Sequence, residues 1–409
     1  MSITLSNFFG LLGGLLVLAY LANRFAHRTR VPDVMVLLLC GIVVGPGLHW
    51  INADSFPTIT PGVGTLALIL ILFAAGLELD LRHARKQFAA GMVLAILSYG
   101  LTMEGVHLFC MNVLHMNRMA SLLAGAALAC MSGSIVLPIL EQVKLRTELK
   151  TTLVIEAAFG DGLGAMVVGV LVSLVAGGVT NQTSSGAILS GMVVHFFISF
   201  FMAFFLGVVA GFLWARLLPR ISNRKFWQVL TFGAVLILYS GTHALGGSDL
   251  FAVMVFGATL ANLLGPESIW SEVEAEFSPT DEGSQVHSFH SELAFLVRNF
   301  FFVLLGAMIQ FRGLKEQLLP SLGFLLVILV ARFVSVQASR VVWRGLSWRE
   351  QELATMLIPR GLITAVLALE AIQAMPVDLM FFPSLTFALI LLTNGIGLAA
   401  TVRAKGIEA

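Results

Sequence analysis

Apolar stretches follow one another along almost all of this 409-residue chain. Most are close to the roughly 20 residues an α-helix needs to cross a hydrocarbon core. They fall at 5–23, 33–48, 63–79, 88–110, 119–140, 151–176, 187–214, 227–245, 250–264, 292–310, 319–341, 352–373 and 379–400. Lipid offers no partner for a backbone amide, so a spanning segment must be a helix or a strand of a closed barrel. Barrel strands would be short and alternating, which these runs are not. The pattern predicts an all-α polytopic membrane protein with about 13 transmembrane helices. Only 11% of residues are charged, against about 25% in ordinary soluble chains. A net charge of +1 gives no basis for a nucleic-acid partner. Cys40, Cys110 and Cys130 all sit in apolar runs, an odd set that reads as packing rather than as disulfides or a metal site.

The loops carry their own signal. With thirteen crossings, 19 of the 24 Lys and Arg residues fall on one side. Three (Arg118, Arg312, Lys315) fall on the other, and Arg332 and Arg360 lie inside segments eleven and twelve. The positive-inside rule then puts the N-terminus outside and the C-terminus in the cytoplasm of a bacterial inner membrane. The first segment lacks a basic n-region and is followed by arginines, so it reads as a membrane helix rather than a signal peptide. The longest loop, 265–291, is acidic and is expected to be a solvated cytoplasmic linker.

Charge inside the membrane is the functional signal. Segment six reads TTLVIEAAFGDGLGAMVVGV over 151–170 and holds Glu156 and Asp161. An acid at that depth costs about 2.5–3.5 kcal/mol on insertion scales and is kept only with a partner, a cavity or a proton. Asp161 lies about 15 Å into the helix, near the midplane. Gly160, Gly162 and Gly164 leave the backbone around it bare. Glu156 and Asp161 are five residues apart and do not share a helix face. That suggests a division of labour, with Glu156 neutralising Arg332 or Arg360 while Asp161 exchanges ligands.

Two segments are expected to be discontinuous. Segment five contains Ser132, Gly133, Ser134 and Pro138; segment twelve contains Pro359-Arg360-Gly361. Their matching places in segments four to six and eleven to thirteen suggest inverted repeats with two crossing helices around a midplane site. Broken helices offer carbonyls and half-helix dipoles to a cation. Glu104, His107 and Asp249 lie near outer helix ends and are expected to meet water or the interface. No HExxH, phosphate loop or nucleophile elbow occurs, which argues against an enzyme.

Several stretches together resemble the monovalent cation:proton antiporters, and most closely their bacterial and animal sodium/proton exchanger branch. These are GIVVGPGL (41–48), FAAGLELDLRHARK (73–86), EAAFGD (156–161), RNFFFVLLG (298–306), the Arg332 of ARFVSV and PRGLITAVLAL (359–369). The resemblance implies scaffold helices one to three over 1–87, core helices four to six over 88–180 and a linking helix over 181–226. It continues with scaffold helices eight to ten over 227–318 and core helices eleven to thirteen over 319–409. It also implies a homodimer in a lipid bilayer, Asp161 as the cation- and proton-binding group, Glu156 with Arg332 as a buried pair, and Arg360 as a second arginine. Two departures stand out. Gly160 occupies the place of the branch's usual Asn, and Ser132-Gly133-Ser134 that of its Thr-Asp-Pro. Ser132, Gly133, Ser134 and Gly160 are therefore expected to line the site with hydroxyl and backbone groups. No resident cofactor is expected; Na⁺ or K⁺, and H⁺, are the cargo. The expected activity is electroneutral antiport by alternating access, with an ion channel or a proton-coupled carrier of an organic solute as the other class.

Overall fold

The computed structural model of the chain describes residues 33–48, 60–77, 79, 85–141, 143, 145–177, 185–221, 226–264, 282–307, 314–340 and 346–405, with isolated positions before residue 25. Most of segment one and residues 265–281 of the acidic loop lie outside the described residues. Among the described residues all regular structure is helical. The helices are α1 (Asp33–Ile42), α2 (Thr60–Leu77), α3 (Arg85–Asn112), α4 (Arg118–Ala129), α5 (Gly133–Glu141), α6 (Thr147–Ala176) and α7 (Ser185–Leu217). They continue as α8 (Trp227–Ala244), α9 (Asp249–Leu264), α10 (Glu282–Ala307), α11 (Leu314–Ser339), α12 (Trp348–Met356), α13 (Leu362–Ala374) and α14 (Phe382–Lys405).

Five stretches are long and apolar enough to cross a membrane: Gln87–Asn112, Thr147–Ala176, Val193–Leu217, Leu319–Ser339 and Phe382–Ala400. Shorter apolar helices fill in between them. Two expectations change. The 265–291 stretch is not wholly a linker, because its last part, from Glu282, is the first turns of α10. Pro138 does not end a helix either; it lies within α5, which continues to Glu141.

Position within the bundle follows composition. In α6, 72% of the apolar window is buried, against 22% in α7, so α6 is central and α7 faces lipid. Phe197, Phe201 and Phe205 of α7 point outward, as suits a hydrocarbon surround. Around α6 stand α3, α4, α13 and α7; α11 packs on α3 and α14. On the other side, α10 packs on α1 and α2, and α9 on α2 and α7.

These outer contacts rest on bare backbone. A Cβ on Gly41 would run into the Val303 carbonyl, and one on Gly306 into the Leu38 carbonyl, so α1 and α10 touch through both glycines. Gly76 and Gly257 do the same for α2 and α9. Hydrocarbon does not drive apolar helices together, so close van der Waals contact at small residues is what holds them. After Ile42, α1 widens into a π turn, Val43–Gly47, with Pro46 inside. Leu48 N–H then donates to the Val43 carbonyl at 2.7 Å.

Candidate ion-exchange site

Segments five and twelve are each two helices. Asn117 caps α4, its side chain accepting from Ala120 N at 2.8 Å. The helix stops at Ala129, and Cys130 is extended (φ −65°, ψ 135°). Three residues later α5 begins at Gly133. At the other interruption, Ser347 and Glu350 form a capping box that starts α12. That helix ends at Met356, and α13 restarts at Leu362. Pro359 supplies no amide hydrogen, which suits a stretch where the helical ladder is already broken.

The two interruptions are bonded to each other. Ser132 N–H donates to the Pro359 carbonyl at 2.9 Å. Arg360 Nη1 donates to the Cys130 carbonyl at 2.6 Å, and Thr364 Oγ1 reaches the same oxygen at 3.3 Å. A side chain at position 361 would strike Ser132, so Gly361 is what allows the chains to pass this closely. The Ser132 N–H and the Pro359 and Cys130 carbonyls, orphaned by the breaks, thereby find partners across them.

The charges divide into a closed pair and an open group. Glu156 and Arg332 are 2% and 1% exposed, so the carboxylate does not reach water. Arg332 Nη2 donates to Glu156 Oε2 at 2.9 Å, and Nη1 donates to Oε1. Its remaining donors go to the Ala354 carbonyl (Nε, 2.8 Å) and Ser98 Oγ (Nη1, 3.1 Å). This fork joins α6, α11, α12 and α3 at one point. Planar guanidinium geometry suits such bidentate recognition. Removing one partner of a buried pair typically costs about 3–5 kcal/mol, because the other charge is left bare.

Asp161 is arranged differently. It is 2% exposed, and Oδ2 accepts from Gly133 N–H, at the start of α5, at 3.3 Å. Oδ1 is buried and has no hydrogen-bond partner among the described residues. Arg360 is close enough for its charge to interact with Asp161; its Nη1 donates to the Cys130 carbonyl, and its Nε is buried with no partner among the described residues. It stands outside the Glu156–Arg332 fork, which narrows the earlier alternative: Arg332 is the guanidinium that bonds Glu156. The space where a Cβ of Gly160 would lie is open, with nothing within 4 Å. Gly164 is packed against the Cys130 thiol, where a larger residue would not fit.

Asp161, Gly133, Ser132, Cys130 and Arg360 therefore converge on the two breaks. Ser134 lies in the first turn of α5, its side chain outside the described residues. His107 does not meet water: it is buried and bonded to Ser121 Oγ at 2.7 Å, while Glu104 is exposed. Asp249 pairs with His243 at 2.9 Å. Sequence reasoning missed Thr393 and Asn394 of α14, which bond the Arg360 backbone. Their one signal was a polar pair inside the apolar run LLTNGIG. The Cys130 carbonyl had no signal at all, since a backbone acceptor leaves no mark in residue type.

A helical membrane protein whose charged side chains gather where two interrupted helices meet belongs to the secondary transporters in its architecture. More particularly, the chain is a member of the family described as sodium/hydrogen exchanger, transmembrane, whose model matches residues 13–404. That family consists of transporters, not enzymes. Na(+)/H(+) antiporter 1 of Methanocaldococcus jannaschii is 26% identical over 374 residues, 88% of this chain and 82% of that one. K(+)/H(+) antiporter NhaP2 of Shewanella baltica is 24% identical over 98% of this chain and 67% of its own length. K(+)/H(+) antiporter NhaP of Alkalimonas amylolytica is 23% identical over 88% of this chain, which spans 59% of that protein's length. The structure of the sodium proton antiporter MjNhaP1 from M. jannaschii at pH 8 has the same fold, with a TM-score of 0.80 over 96% of each chain at 22% identity. The protein is an integral membrane protein of this family.

Proposed function

We propose that the chain exchanges a monovalent cation, Na⁺ or K⁺, for H⁺, with the two competing for Asp161. One observation carries this: Asp161 is buried beside two helix breaks and keeps one carboxylate oxygen without a protein partner. A bare carboxylate is costly to hold there, so it is covered by a proton or an alkali cation. The N-terminus of α5 favours negative charge at Oδ2 and leaves Oδ1 for the exchanging ligand. Relatives named as Na(+)/H(+) and K(+)/H(+) antiporters agree with cation–proton exchange and leave both cations admissible.

Glu156 is already neutralised by Arg332, so of the two buried acids of α6 it is Asp161 whose charge changes during the cycle. One proton then trades for one cation, and exchange is electroneutral. Alternating access moves the core helices of segments four to six and eleven to thirteen against the scaffold, in a homodimer. Segments five and twelve are the crossing helices of inverted repeats within a thirteen-helix topology, N-terminus outside and C-terminus cytoplasmic. Ser132, Gly133 and Gly160 line the cation's approach.

The test is reconstitution of the full chain in proteoliposomes, with proton movement followed by pH-sensitive fluorescence on addition of Na⁺, K⁺ or Li⁺. Cation-driven proton flux that is unaffected by a membrane potential is expected. Asp161→Asn is expected to reduce it to the background of empty vesicles; undiminished flux in that variant would exclude Asp161 as the exchange site.

A further inference from the structure

Arg360 sits between Pro359 and Gly361. Its neighbours pull in opposite directions, because proline fixes φ and glycine barely restricts the backbone. Neither flank sets the direction in which the guanidinium leaves the chain. The helical ladder does not set it either, since α12 has ended at Met356 and α13 begins at Leu362. The N–H and C=O of Arg360 therefore need partners from elsewhere.

Both partners come from α14, and from adjacent residues. Arg360 N–H donates to Thr393 Oγ1 at 3.1 Å. Asn394 Nδ2 donates to the Arg360 carbonyl at 2.8 Å. Each side chain is also tied to its own helix: Thr393 Oγ1 donates to the Leu389 carbonyl at 2.7 Å, and Asn394 Nδ2 to the Ile390 carbonyl at 2.7 Å. The amide orientation follows from chemistry, because both groups facing that nitrogen are acceptors. Both residues are 0% exposed. Asn394 Oδ1 is buried without a partner, a desolvation cost that an apolar residue of the same shape would not carry.

We propose that Thr393 and Asn394 are positioning residues for the exchange site, gripping both backbone polar groups of Arg360 and thereby keeping its guanidinium on the Cys130 carbonyl and off Asp161. The proposal rests on Asp161 being the exchange site. The charged and titratable groups that interact with Arg360 are Cys130, Arg332, Glu156 and Asp161. Arg332 already holds Glu156 in a fork. Asp161, with one oxygen unpartnered, is the carboxylate a loosened guanidinium would turn to. There it acts as a tethered competitor for the cation. A grip on the Arg360 backbone, at the far end of the side chain from the guanidinium, thus sets how readily Na⁺ or K⁺ enters.

The test compares Thr393→Val, Thr393→Ser, Asn394→Leu and Asp161→Asn with the unaltered full chain in proteoliposomes, using Na⁺ and K⁺ as probes. Half-saturating cation concentration and the pH dependence of exchange are read separately from maximal rate. Thr393→Ser keeps the hydroxyl and is expected to match the unaltered protein. Thr393→Val and Asn394→Leu are expected to raise the half-saturating concentration about tenfold, as when outer-layer partners of a binding group are lost. They are also expected to displace the pH profile. If Asn394→Leu does not fold, the Thr393→Val and Thr393→Ser pair decides. Unchanged half-saturation and pH dependence, including a fall in maximal rate alone, would overturn the positioning role provided that Asp161→Asn is inactive. Normal exchange by Asp161→Asn would instead overturn the site on which the role depends.

Discussion

Two parts of this molecule solve the same problem, holding helices together in lipid, with opposite materials. Where α1 meets α10 and α2 meets α9, glycines let one backbone lie against the carbonyls of another. Where α4, α5 and α6 meet α11 to α14, buried guanidinium, carboxylate, hydroxyl and amide groups form the joint. The first kind of contact depends on shape alone and tolerates no added volume. The second depends on polar groups finding partners across helices, and among the described residues Asp161 Oδ1 is left without one, where we propose that the exchanging ion binds. Rigidity and chemistry are thus allotted to different helices.

The sharpest way to break that contrast is to unpair the buried fork. Glu156→Gln or Arg332→Gln leaves a charge stranded and is expected to cost about 3–5 kcal/mol, read as a drop in thermal unfolding temperature in detergent. The double variant should recover most of the loss; a double as unstable as either single would mean that the fork is not the unit that matters. Gly306→Val attacks the other kind of joint. It drives a side chain into the Leu38 carbonyl and is expected to cost about 1–3 kcal/mol. Half-saturating cation concentration should nevertheless stay as it was, and a large change there would blur the division between the two regions.

The smallest effect is expected at an exposed pair where α6 and α12 begin. Arg146 meets Glu350 through Nε and Nη2, both at 2.6 Å. That bond, with Ser347, holds the Glu350 carboxyl below its ordinary range. A depressed carboxylate contributes above its unfolded value and loses that contribution as pH falls through the folded one. The clasp is therefore whole at neutral pH and opens only in acid below the ordinary Glu value of about 4.3. The Arg146 side chain is 53% exposed, so solvent screens the pair. Arg146→Ala should change stability no more than other surface substitutions and leave its pH dependence near neutrality unaltered, as followed by unfolding temperature across pH.

Much of this was legible before any coordinates. Apolar length gave the helices, and charge inside an apolar run pointed to Glu156, Asp161, Arg332 and Arg360, because lipid makes such residues expensive and hence few. Pro359 and Gly361 marked one break, since both act through the backbone. The other was marked by Ser132-Gly133-Ser134, beside the interruption at Cys130–Ser132, whereas Pro138 lies within α5, where a proline removes one bond without ending the helix. Partner choice was the harder part. Nothing local says that Glu156 bonds Arg332 rather than Arg360, or that α14 grips residue 360, because those pairings span from 33 to 176 positions. The glycine contacts of α1 and α10 were invisible for the same reason, a bare backbone being permissive anywhere until its neighbour is known.

The stitching of Ser132 to Pro359 and of Arg360 to Cys130 has a mechanical corollary. Two strands of chain lashed together at their weakest points cannot pivot independently there, although unwound backbone is where bending would ordinarily be sought. Each carries the other along. Whatever slides or tilts in this protein must take both lashed breaks along together, and the give has to come from helix surfaces elsewhere rather than from the knot itself.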